Sequence, residues 1–79
     1  MKLPREISGR DLAKLLEKYG YQITRRRGSH MRLTTTSQRE HHITIPDHKC
    51  IKLGTLSRIL SDIAKNLEID KSDLIKELF

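Results

Sequence analysis

The sequence predicts an α+β fold in the order α-β-β-β-α, with a further short helix at the end. Apolar residues recur at helical spacing near both ends of the chain. Between them lies a Thr-, Ile- and Arg-rich stretch that alternates with a period of two. The connections within that stretch are of hairpin length, which implies a three-stranded antiparallel sheet. With 79 residues and no repeat or low-complexity linker, a single domain over 1–79 is expected.

The first helix is expected over about 9–19. Ser8 can cap it, and Asp11 stands near the positive end of its dipole. Leu12, Leu15, Leu16 and Tyr19 form its apolar stripe, and Gly20 closes it. Tyr21 and Ile23 mark one face of a first strand, and Gly28-Ser29 forms a turn. Met31 and Leu33 share a face of the second strand. The polar segment Thr36–Glu40 leads to a third strand with Ile43 and Ile45 inward, ended by Pro46. A second helix starts near Gly54 or Thr55 and runs to Asn66, with Leu56, Ile59, Leu60, Ile63 and Leu67 as its stripe. Asp70 is expected to cap a third helix over about 71–78, with Leu74, Ile75 and Leu78 inward.

One sheet face, with Ile23, Met31, Leu33, Ile43 and Ile45, must receive the helices. Strand parity then puts Gln22, Thr24, Arg26, His30, Arg32, Thr34, His42 and Thr44 on an open face. The same parity sends Arg25 and Arg27 into the core. That conflict predicts an end or a bulge of the first strand near Arg25.

Charge is unevenly distributed. Residues 1–54 hold 12 Lys and Arg against 5 Asp and Glu, a net of +7, whereas 55–79 hold 4 against 5, a net of −1. Residues 21–39 contain five arginines and no acid. This is an electrostatic footprint for a polyanion such as RNA. The aromatic residues are Tyr19, Tyr21 and Phe79 alone, too few for a reader that stacks single-stranded bases. Recognition through backbone and shape is favoured instead.

Arg25-Arg26-Arg27-Gly28-Ser29-His30 is the most informative segment. RNA cleavage needs a group to move the 2′-hydroxyl proton and cations to hold the phosphate. Histidine suits the first task and the arginine fork the second, and a Gly-Ser turn lets a backbone N–H approach closely. A hairpin turn beside a solvated arginine run is the plainer reading of the same residues. Arg32, Lys49 and Lys52 extend the basic set. His48, beside Lys49, is either a second acid or a loop residue bonded locally. Thr55 at the second helix start is read as a cap.

Other chemistry is disfavoured. His41, His42, His48 and Cys50 match no zinc spacing, and the acids do not group for a two-metal site, so no metal or cofactor is expected. A lone Cys50 excludes an intramolecular disulfide. No segment reads as a membrane span or signal peptide, so a cytoplasmic protein is expected.

Taken in order, SGRDLAKLLEKYGY, the basic strand with Gly28-Ser29-His30, the strand ending ITIPDH, and KLGTL followed by Ile59-Leu60 resemble the HicA family of bacterial toxins over about residues 6–67. The resemblance implies a double-stranded-RNA-binding-like fold and an mRNA interferase neutralised by a HicB-type antitoxin. His30 falls on the family's proposed catalytic histidine. The third helix extends beyond the family's minimal length. Two other functions fit the same basic face: a non-catalytic double-stranded-RNA-binding module, and an interface for an acidic protein.

Overall fold

The computed structural model describes residues 3–79 and has the expected order. Helix α1 spans Gly9–Leu16 and is followed by a 3-10 turn, Glu17–Tyr19. Strands β1 (Gln22–Arg27), β2 (His30–Thr35) and β3 (His41–Pro46) form an antiparallel meander with β2 in the middle. Helices α2 (Leu53–Leu67) and α3 (Lys71–Leu78) complete the fold.

The helices cover one sheet face. Leu12 and Leu16 of α1 and Leu56, Leu60 and Ile63 of α2 share a core with Met31, Leu33 and Ile45, and all eight are fully buried. Each such side chain contributes roughly 1.5–3 kcal/mol by leaving water. Tyr21, also fully buried, joins this core from just before β1. Helix α3 adds Leu74, Ile75 and Leu78 to it, and Lys71 donates to Ser57 Oγ of α2. Tyr19 donates to Glu77 at 2.7 Å, tying α3 back to the end of the first helical segment.

Two glycines fix close approaches. A Cβ on Gly9 would overlap the carbonyl oxygen of Pro46, so α1 starts directly against the end of β3. Gly20 sits at φ 84°, the left-handed conformation that ends the 3-10 turn at little cost only for glycine. The N-terminal arm is held on the β3–α2 connection by Gly9 N–H to His48 O and Ile51 N–H to Ile7 O, each 2.9 Å.

Several expectations need correction. The first helix changes to 3-10 geometry after Leu16, and Leu15, expected in the apolar stripe, lies at the surface. Helix α2 starts at Leu53 with Lys52 as its N-cap, so Thr55 lies inside the first turn rather than at the cap. Asp70 occupies the cap position of α3 but its side chain makes no capping hydrogen bond. The backbone carbonyl of Asp70 receives the first amides instead. Ile23 is 48% exposed. It pairs with Leu33 on the inner face, but β1 is an edge strand. The eight-residue α1 leaves Ile23 at the rim of a cleft beside Arg10, Ala13 and Lys14.

Candidate nucleic-acid interface

The register of β1 against β2 decides which arginines reach the open face. Gln22 pairs with Thr34 and Ile23 with Leu33. After a shift at Thr24, Arg25 pairs with Arg32, Arg26 with Met31 and Arg27 with His30. Thr24 is therefore the extra residue of a β-bulge. Its hydroxyl lies 3.4 Å from the Arg32 carbonyl and 2.9 Å from the Thr34 hydroxyl. Because the bulge reverses parity, Arg25 and Arg27 join His30 and Arg32 on the open face. Arg26, opposite the buried Met31, turns to the helix side. The parity reading had Arg26 outward and the other two inward, and the extra residue reverses all three.

Arg26 is held there by an ion pair. Its Nη1 donates to Asp47 Oδ2 at 2.5 Å, and Arg10 Nε donates to Asp47 Oδ1 at 3.1 Å. The Arg26 and Arg10 guanidiniums hold the Asp47 carboxyl below its usual range. The Asp47 amide also donates to the Ser29 carbonyl at 2.6 Å. One residue thus ties the β1–β2 turn, the end of β3 and α1 together.

The turn itself is Gly28-Ser29, between the paired Arg27 and His30. Gly28 has φ 58° while Ser29 is not in the positive-φ region, the pattern of a two-residue type II′ hairpin. The turn therefore sets where Arg27 and His30 stand. Both side chains are exposed.

The open face is ordered in cross-strand rows. Arg27, His30 and Pro46 form the first, Arg25, Arg32 and Thr44 the second, and Gln22, Thr34 and His42 the third. Rows stand two residues apart, about 6.8 Å. Among the described residues, Arg25, Arg27 and Arg32 make no ion pair with a carboxylate, whereas Arg10, Arg26 and Arg39 do. Arg39 pairs with Glu68 at 3.2 Å and donates to Asn66 O, closing the C-terminal end of α2.

Lys49 and Lys52 are exposed on the β3–α2 connection, beyond the strands that carry the arginines. His48 is exposed two residues past Pro46, the Cα partner of His30. Its backbone is fixed by Gly9.

The adjacent histidines separate. His41 turns inward, where Nδ1 meets the Tyr21 hydroxyl at 2.6 Å and Nε2 faces Asp62 at 3.6 Å. Burial pushes the Tyr21 phenol up, and the nearby Asp62 charge adds to this. His42 is exposed and takes part in a chain of polar contacts. Glu40 Oε2 meets His42 Nε2 at 2.8 Å, and His42 Nδ1 meets Thr34 Oγ1 at 2.8 Å. The Thr34 hydroxyl continues the chain to Thr24.

Sequence reasoning missed the roles of Asp47, Thr24 and the Glu40–His42–Thr34 chain. The parity conflict at Arg25 signalled the bulge, but ion pairs between distant residues leave no periodic trace. Among the described residues no group of three or more His, Cys, Asp or Glu side chains stands close enough to hold a metal ion. Nor is any helix among them long and apolar enough to cross a membrane.

A family model described as the HicA toxin of bacterial toxin–antitoxin systems matches residues 9–65, more than half of the chain. No curated protein and no solved structure matches it.

Proposed function

Because this chain belongs to the HicA family of toxins from bacterial toxin–antitoxin systems, we propose that it acts as an mRNA endonuclease whose reaction runs on the open sheet face at His30. The observation that carries this reading is the company His30 keeps. Arg27 is its cross-strand partner, Arg25 and Arg32 form the next row, and among the described residues none of the three makes an ion pair with a carboxylate.

The chemistry follows from these groups. Arg27 and its neighbours hold the phosphate oxygens and offset the charge that builds on them. His30 takes the proton of the 2′-hydroxyl. The 2′-oxygen then bonds to the adjacent phosphorus as the bond to the 5′-oxygen breaks. The leaving oxygen gains a proton, from His48 or from water. The products are a 2′,3′-cyclic phosphate and a 5′-hydroxyl. The exposed Lys49 and Lys52 extend the cationic surface along the RNA. Arg26 serves as the tether that holds the turn through Asp47. No cofactor is needed for these steps.

The physiological partner in this reading is a HicB-type antitoxin that covers the basic face, which suits a cytoplasmic stress-response module. The test is cleavage of a structured mRNA in EDTA by the wild type and by His30→Ala, with products resolved on a denaturing gel. His30→Ala should lose roughly 100- to 10,000-fold in rate and keep its circular dichroism spectrum. Equal cutting by the two proteins removes His30 from the chemistry. Binding without cutting by either makes the chain a double-stranded-RNA-binding module.

A further inference from the structure

The third row of the open face carries a polar arrangement that the cleavage chemistry does not use. A shallow cleft is lined by Thr24, Arg25, Arg32, Thr34, Glu40 and His42. A carboxylate only accepts hydrogen bonds, so the contact of 2.8 Å between Glu40 and His42 puts the imidazole proton on Nε2. With the ring neutral, Nδ1 is an acceptor, and it takes the Thr34 proton across 2.8 Å. With its own proton so committed, the Thr34 oxygen can only accept from Thr24 at 2.9 Å, and the Thr24 hydroxyl has the Arg32 carbonyl at 3.4 Å as its other acceptor.

The Thr34 proton is therefore directed toward the imidazole, and the Thr24 proton toward Thr34 or the Arg32 carbonyl, so neither hydroxyl donates outward. What the row offers outward is lone pairs, on Thr34, Thr24 and the second Glu40 oxygen. Immediately beside these acceptors stand Arg25 and Arg32, which only donate. Donors and acceptors are thus sorted into neighbouring rows. A phosphate presents acceptors, and the ribose 2′-hydroxyl beside it presents a donor. The row spacing of about 6.8 Å is of the size of the step between neighbouring phosphates on one strand.

We infer that the Glu40–His42–Thr34 chain is a ribose subsite that distinguishes RNA from DNA. A neighbouring phosphate lies on Arg25 and Arg32, and its 2′-hydroxyl donates to Thr34. The inference rests on the reading of this face as an RNA site, but it concerns a nucleotide away from the bond that is cut. Thr34 is oriented by His42, and His42 by Glu40, so these two are positioning residues. The 2′-hydroxyl is the group by which a protein separates RNA from DNA at a given position.

The test uses strands that cannot be cut. Affinities are measured for two oligonucleotides of one sequence, one all-deoxy and one with 2′-hydroxyls everywhere except at the cleaved nucleotide. The wild type should favour the ribose-bearing strand by about five- to tenfold, the size of one net hydrogen bond. Thr34→Val should bring that ratio close to one, and Thr34→Ser should restore it. His42→Ala should lower it. A preference that survives Thr34→Val in a folded protein overturns the subsite. So does a wild type that binds both strands equally, and cleavage at His30 is untouched by that result. If the wild type binds neither strand, the RNA reading of the whole face fails with it.

Discussion

Arg26 Nη1 meets Asp47 Oδ2 at 2.5 Å, across 21 residues of sequence, and the Asp47 amide closes on the carbonyl of Ser29. The arginine that the bulge turns inward is thereby bound to the residue that holds the β1–β2 turn.

This pair predicts an acid sensitivity. The Asp47 carboxyl lies below its ordinary value of 3.8 because Arg26 and Arg10 favour the charged form. A depressed carboxyl contributes stability that is complete above the ordinary value and is lost as pH falls through the lowered one. Urea unfolding should show the wild type more stable than Asp47→Asn at neutral pH. The gap should shrink below about pH 4. A gap that stays constant into acid shows that Asp47 contributes by another route.

The arginines should divide by salt dependence. Removing a cation that contacts a phosphate lowers the slope of log affinity against log salt by about 0.7–0.9. Arg27→Ala and Arg32→Ala should each reduce the slope by that amount. Arg39→Ala should leave it alone, because Arg39 is engaged with Glu68 and Asn66 O. Filter binding over a salt series separates these outcomes. An equal fall for all three means that net charge, rather than the open face, governs binding.

The glycines should fail in different ways. Gly28 has φ 58° and no atom near its would-be Cβ, so Gly28→Ala meets conformational strain alone, about 1–2 kcal/mol. The strain falls on the turn between Arg27 and His30, so cleavage should drop by more than the loss of folded protein explains. Gly20→Ala meets both φ 84° and the Thr35 hydroxyl at 2.8 Å from the new Cβ. Its melting temperature should fall further than that of Gly28→Ala, by several degrees, while the cleavage rate per folded molecule is unchanged.

Tyr19 predicts an alkaline limit. Burial, the hydrogen bond to Glu77 and its negative charge push the phenol from 10.0 up to about 12. A raised value means that the stabilising contribution is complete below pH 10 and is lost as pH rises toward 12. The stability difference between wild type and Tyr19→Phe should therefore narrow across that window. A difference that is flat from pH 8 to 12 would sink the assignment. Glu77→Gln should weaken the effect and loosen α3.

Much of the fold could be read directly. Leu12 and Leu16, Met31 and Leu33, and Leu56, Leu60 and Ile63 fell on the faces that their spacing assigned, because period determines face wherever the backbone is regular. Gly28-Ser29 was legible as a turn, since glycine is tolerated where φ is positive. Ile23 was misread because burial depends on what covers a strand, and an edge strand under a short helix is only partly covered. The cap at Thr55 failed because a residue type suited to capping does not by itself fix where the first helical hydrogen bond forms, whereas Asp70 stands at the N-cap of α3 as expected and lacks only the side-chain bond.

The candidate site divides along the same line. By itself the sequence determined the α-β-β-β-α order, the basic central stretch, and a histidine placed directly after a glycine turn, since each depends on near neighbours. The tertiary structure decided that Arg25 and Arg27 face outward with His30, that Arg26 is held by Asp47, and that Glu40, His42, Thr34 and Thr24 form one chain. A single bulged residue reverses the parity of everything after it, and a side-chain pair across two strands exists only once their register is set.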